Sequence, residues 1–318
     1  MTRVKFIIPV LALAFALCSC GGRGGSGTVA EKPFPTVQVP SVMAGDEAQV
    51  LEYLAEHYFD LWIKGPQGVP PIELDQAVAN YVAVLDLMDV PAAAKCVGKM
   101  FAKAEGSQLD SAQFFMFAGK LEHYLYDPNS PERNEDFYLP VVKTLAHSTR
   151  TPENLREQYS HTAQMCSLNR YGDVAPDFEA VTADGRVFSL HEIEAQYTML
   201  FFSNPGCTAC KGIIDEVMGR PYTQAFISAG TLAVVNVYID EELDEWLAYA
   251  SNYPQSWYSG YDPSLILRGD TIYNVRAIPS LYLLDVNKRV LMKDAPTEKV
   301  LNFLDNIAYG NQEVHPYE

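Results

Sequence analysis

The run Tyr197-Thr-Met-Leu-Phe-Phe202, followed closely by Cys207 and Cys210, constrains this chain more than any other feature. A short stretch so rich in apolar and aromatic residues is expected to be a central strand covered on both faces. Asn204-Pro205-Gly206 then breaks the strand, and Thr208 to Met218 carries Ala209, Ile213, Ile214 and Val217 at helical spacing. Cys207 therefore falls at a helix N-terminus. There, unpaired backbone N–H groups and the positive end of the helix dipole favour a thiolate and lower the thiol pKa. Cys210 sits one turn further in, within reach of a disulfide with Cys207 and able to release a partner from a mixed disulfide. Cys207 is the expected nucleophile and Cys210 the resolving thiol.

The same spacing also occurs in half of a zinc site, but zinc wants two further Cys or His ligands close by, and the next histidine is His315. His57, His123, His147 and His161 show no ligand spacing either, so neither a metal nor a cofactor is expected. A peroxiredoxin pattern would place Thr or Ser three residues before the reactive cysteine, where Asn204 stands. Downstream, Asn274-Val-Arg-Ala-Ile278-Pro279-Ser280-Leu-Tyr-Leu-Leu-Asp285, a turn to Lys288 and a strand from Arg289 to Met292 resemble the cis-proline loop and closing hairpin of thioredoxins. In that family the proline packs on the two cysteines and the residue before it pairs with the substrate backbone like an added strand. The resemblance makes Ile278 and Pro279 the substrate-docking residues. The other reading of Pro279 is a trans proline that merely opens a strand.

At the N-terminus Arg3 and Lys5 precede an apolar run, Phe6 to Leu17, too short to span a bilayer and laid out as a secretory signal. Leu17-Cys18-Ser19-Cys20-Gly21 resembles a bacterial lipobox. Residues 1–19 are expected to be the signal peptide, Cys20 the lipidated residue and 20–40 a flexible Gly-rich tether. Lipidation at Cys18 would put Leu17 in the small-residue position, and ordinary signal cleavage is the remaining alternative. Acidic residues that flag some lipoproteins for surface display are missing, which favours the periplasmic face of the outer membrane. The formal net charge of −17 argues against nucleic acid and anionic membrane surfaces as partners.

Residues 41–170 carry helical stripes, among them Leu74, Val78, Tyr81, Leu85 and then Phe114, Phe117, Leu121, Leu125. About six helices are expected. Asp46 to Gln49 resembles a capping box, and Ser130-Pro131 and Thr151-Pro152 look like helix starts with proline at the first position. The run Glu132-Arg-Asn-Glu-Asp136 reads as a solvated helix start, with an interdomain contact as the alternative. Cys96 and Cys166 each lie on or near an apolar stripe, either as buried thiols or as a disulfide, and the sequence leaves that pairing open.

From Tyr171 the period changes. Val181 to Ser189 alternates around Asp184-Gly185, Leu232 to Ile239 is a continuous β-branched strand, Glu241 to Ala250 a helix, Ser251 to Tyr261 a loop, and Thr297 to Ile307 a closing helix. Gly172-Asp-x-Ala-Pro-Asp-Phe178, Cys207-x-x-Cys210, Tyr273-x-Val-x-x-Ile-Pro279 and Leu283-Leu-Asp285 make 171–310 similar to the TlpA/ResA-type envelope thiol-disulfide oxidoreductases. The helical half, through Tyr124-Leu-Tyr-Asp-Pro-Asn-Ser-Pro131, resembles an uncharacterised domain that precedes such modules in lipoproteins of Gram-negative bacteria. The expected fold class is α/β: an N-terminal all-helical domain, a C-terminal thioredoxin-like α/β/α sandwich, and a tail at 311–318.

The resemblance implies thiol-disulfide exchange on cysteine-containing envelope proteins, served by a separate redox partner. Three departures weigh on it. Gly206 replaces the usual tryptophan, and the buried carboxylate is missing both at Phe201, its thioredoxin position, and at Ile213, its TlpA/ResA position; such a carboxylate takes the proton of the resolving thiol. The competing hypothesis is a thioredoxin-fold binding module with a weak or inactive redox site. The direction of electron flow rests on a reduction potential that a sequence does not carry.

Overall fold

The computed structural model describes residues 33–310 apart from Gln67 and Asp270. The signal peptide, the Cys20 lipidation site, the glycine-rich stretch as far as residue 32 and the 311–318 tail lie outside the described residues.

The N-terminal half holds α1 (Glu47–His57), α2 (Asp60–Lys64), α3 (Pro71–Leu85), α4 (Val90–Glu105), α5 (Ser111–Leu125), α6 (Glu135–His147) and α7 (Glu153–Cys166). Asp46, Asp89, Asp110 and Asn134 accept backbone N–H bonds at the starts of α1, α4, α5 and α6. The apolar stripes meet in one core where Phe59, Trp62, Tyr81, Phe101, Phe114 and Phe117 are almost wholly buried. Packing begins earlier than the tether boundary at residue 40 suggests, because the Phe34 ring lies against Tyr58, Phe59 and Trp62. The expected cap at Ser130-Pro131 also fails. Ser130 Oγ instead donates to the Tyr124 carbonyl at 2.6 Å, and α6 starts at Glu135 behind Asn134. At α7 the residue before the helix is Pro152, and no side chain caps it.

The C-terminal half runs β1 (Glu179–Val181), β2 (Val187–Ser189), β3 (Tyr197–Phe202), α8 (Thr208–Gly219), α9 (Thr223–Ser228), β4 (Leu232–Tyr238), α10 (Leu243–Tyr249), β5 (Tyr258–Tyr261), α11 (Ile266–Gly269), β6 (Ser280–Leu284), β7 (Val290–Met292) and α12 (Thr297–Tyr309). They build one mixed sheet in the order β2-β1-β5-β4-β3-β6-β7. β3, β4 and β5 are parallel, and β6 runs antiparallel to β3. β5 lies inside the stretch expected to be a loop. Tyr258-Ser-Gly-Tyr261 has no apolar alternation, and its extended form comes from pairing with β4. Period 2 then divides the core. Met199 and Phe201 face α8 and α12, while Leu200 and Phe202 face α11 and the irregular segments around Phe178 and Tyr273.

Candidate active site

Phe202 pairs with Ser280 in the antiparallel β3–β6 register, so Pro279 stands level with the point where β3 gives way to the cysteine turn. Cys207 N–H donates to the Asn204 carbonyl at 3.3 Å, closing a turn over Pro205 and Gly206. Gly206 has φ +72°, as the third position of a type II turn requires, and Pro205 suits the second. This turn accounts for glycine at the position just before Cys207.

Cys207 is the N-cap of α8, and its sulfur accepts the Cys210 backbone N–H at 3.1 Å. Cys207 and Cys210 are joined as a disulfide with Cα atoms 5.2 Å apart. Their surroundings differ. Cys207 is half-buried at the rim, whereas Cys210 is 2% exposed against Phe201, Ile213 and Val217. The wall behind Cys210 thus has no carboxylate, with Phe201 on β3 and Ile213 on α8 standing there instead.

Polar groups gather above and beside that wall. Ser203 Oγ lies 2.5 Å from Asn236 Oδ1 and 3.2 Å from the Tyr253 hydroxyl, and Asn236 Nδ2 is buried without a partner. Asn236 is the register partner of Phe201 on β4, so this network lies on the α8 side of the sheet. Asn204 Nδ2 donates to Asp240 Oδ2 at 2.5 Å, and Asp240 in turn pairs with Arg268. None of these partners was identified from the sequence, since each stands 28 or more residues from the group it meets.

The Ile278–Pro279 peptide is cis. Ile278 is half-buried and touches the apolar clusters on both faces of the sheet, Cys210's among them. Among the described residues, no backbone partner bonds the Ile278 N–H or C=O. On either side the loop is tied down: Ser280 Oγ donates to Asp294 Oδ1 at 2.8 Å, and Arg276 Nη2 to Asp294 Oδ2 at 2.7 Å. Burial pushes the Asp294 carboxyl up from its ordinary range, against the pull of Arg276 and Arg133.

With this geometry, a solved structure of a thioredoxin-like protein from Bacteroides caccae ATCC 43185 superposes over 86% of this chain and 98% of its own, at 32% identity and TM-score 0.75. The chain belongs to the thioredoxin-like proteins. Residues 19–169 match a family described as a domain of unknown function, DUF5106. The C-terminal domain of an uncharacterized protein from Bacteroides fragilis NCTC 9343 is 42% identical over 43% of this chain and 98% of its own, TM-score 0.42. A putative thiol:disulfide interchange protein DsbE from Chlorobium tepidum is 26% identical over 45% and 98%, TM-score 0.37. No curated protein matches.

The remaining cysteines of this thioredoxin-like chain that the structure describes, Cys96 and Cys166, are free buried thiols. Cys96 Sγ lies 3.8 Å from the Glu52 carbonyl, and burial pushes the Cys166 thiol well up. Among the described residues no three His, Cys, Asp or Glu side chains could hold a metal ion, and no helix is long and apolar enough to cross a membrane.

Proposed function

We propose that this protein is a dithiol-disulfide oxidoreductase of the cell envelope that acts on cysteines of other proteins through Cys207 and Cys210. The observation that carries this reading is the inequality of the two sulfurs: Cys207 half-exposed on a helix N-terminus with a backbone N–H aimed at it, Cys210 buried one turn behind. A thiolate at Cys207 attacks one sulfur of a substrate disulfide, that S–S bond breaks, and the departing substrate sulfur takes up a proton. Cys210 then loses its proton to solvent and attacks Cys207 Sγ. The mixed disulfide breaks, the second substrate thiol leaves, and two electrons have passed from the dithiol to the substrate. Oxidation of a substrate runs the same steps in reverse, and the difference in reduction potential sets the direction.

Equilibration in glutathione buffers of graded ratio, followed by thiol alkylation and mass measurement, tests the reading. A two-electron transition confined to Cys207 and Cys210, with exchange on a disulfide-bonded peptide that Cys207→Ser abolishes, is the expected result. A pair that neither equilibrates nor exchanges would leave a binding module.

The lipobox-like Leu17-Cys18-Ser19-Cys20 supports anchoring through a lipid on Cys20, on the periplasmic face of the outer membrane. Cys20→Ala is expected to lose fatty-acid labelling and leave the membrane fraction; retained label would point to Cys18.

A further inference from the structure

The helical domain meets the sheet at the end that bears the active site. β6 starts there at Ser280, and β7, antiparallel to it, returns there at Met292, leading into Lys293, Asp294 and Ala295. Against these residues stands Glu135, the first residue of α6, with 2% of its surface exposed. Its Oε2 lies 2.7 Å from Lys293 Nζ and its Oε1 2.8 Å from Arg276 Nε, a charge contact whose N–H is not aligned as a hydrogen bond. Asn274 Nδ2 reaches both oxygens at 3.5 Å.

Arg276 stands three residues before Pro279. Its guanidinium lies 4.0 Å over the Tyr126 ring, donates to the Tyr126 carbonyl, and on its other side holds Asp294. Asp294 accepts from Ser280, the residue after Pro279. From the helical side Arg133 fixes the same segment, with Nε donating to the Asp294 carbonyl at 2.6 Å and Nη2 to the Ala295 carbonyl at 3.0 Å. Both flanks of Ile278-Pro279 are therefore fastened to the helical domain, one through Arg276 and the other through Asp294.

Buried ion pairs are a poor route to stability, because desolvating the charges offsets much of their attraction, and apolar packing at the same place would serve as well. A charged cluster gives direction and register instead, and this one is built around the docking loop. We infer that the helical domain sets the position of the Ile278-Pro279 loop against Cys207, with Glu135 and Arg276 as positioning residues for disulfide substrates that pair with the loop backbone. This inference rests on the exchange reading above.

Reduced full-length protein is assayed with two disulfides. One is 5,5′-dithiobis(2-nitrobenzoic acid), small enough to meet Cys207 without the loop; the other is a disulfide-bonded extended peptide. In Glu135→Gln and in Arg276→Lys, which keeps the charge but loses the planar stack on Tyr126, the peptide rate is expected to fall roughly tenfold to a hundredfold. The small-disulfide rate stays within about twofold of wild type, because the N-terminal end of α8 that activates Cys207 is untouched. If Glu135→Gln fails to fold, Arg276→Lys and Tyr126→Leu give the same ratio. Two rates that change together, or a peptide rate unchanged in folded variants, would overturn the positioning role alone. A wild-type protein inert to both disulfides would overturn the exchange reading and this inference with it.

Discussion

Glu135 and Lys293 form an ion pair across the two domains at 2.7 Å, with 1% and 3% of their side-chain surfaces exposed. Lys293 Nζ also lies 3.3, 3.2 and 2.6 Å from the carbonyls of Met165, Cys166 and Leu168, so one ammonium serves both Glu135 and the C-terminal end of α7, where a cation is favoured. Replacing Lys293 by Met removes the ammonium from buried Glu135, which keeps Arg276, and from the Cys166 and Leu168 carbonyls at the end of α7. Loss of one partner of a buried pair costs about 3–5 kcal/mol. Lys293→Met is expected to lower the unfolding free energy by that order in a urea titration, and a change below about 1 kcal/mol would contradict the role given to this contact.

Gly260 on β5 passes close under the β1–β2 hairpin. A Cβ there would stand 2.9 Å from Phe188 Cε1, 3.0 Å from Ala180 Cβ and 3.1 Å from the Val181 carbonyl oxygen. Phe188 can swing, but the Val181 backbone cannot without parting β1 from β5, which pair only at Val181 and Tyr261. Gly260→Ala is expected to cost about 1–3 kcal/mol by thermal or urea denaturation. A neutral substitution would mean that the two strands are not held this closely.

Burial raises the Cys166 thiol well above its ordinary 9.0, and raises Cys96 as well. A group whose pKa is higher folded than unfolded contributes stability that is complete below the unfolded value and is lost as pH climbs toward the folded one. The urea midpoint is therefore expected to hold up to about pH 9 and to fall above it, less steeply in Cys166→Ala. Alkylation of the reduced protein at pH 8 should mark Cys207 well before Cys96 or Cys166. Equal labelling of all of them in folded protein would contradict the burial described.

The strand-turn-helix around Cys207 and the all-helical first half were legible because their signals are local: a continuous apolar run, a Pro-Gly break, and stripes at helical period. β5 was not, since Tyr258-Ser-Gly-Tyr261 is a strand through its pairing with β4 and, at Tyr261, with β1. The charged run Glu132 to Asp136 shows the same limit. Its composition suits a solvated helix start or an interdomain contact, and the contact is what forms: Glu135 and Asp136 are buried, meeting Lys293 and Arg276 in one case and Arg170 in the other. Partners so remote in sequence leave no periodic trace, and Ser130-Pro131 offered a plausible but false cap just before them. At the site the two cysteines and the proline stood out, while Asn236, Tyr253 and Asp240 came into view only once β3 and β4 were set side by side.

The central claim is that Cys207 makes the bond to substrate and Cys210 breaks it, and trapping reads this directly. Reduced Cys210→Ser and Cys207→Ser proteins are each incubated with the disulfide-bonded peptide, quenched with acid and run without reductant. Cys210→Ser is expected to hold the peptide as a stable, thiol-cleavable adduct on Cys207, and Cys207→Ser to hold none, because Cys210 is buried against Phe201 and Ile213. An adduct on Cys210 in Cys207→Ser with none in Cys210→Ser would reverse the roles, and no adduct in either would contradict the account.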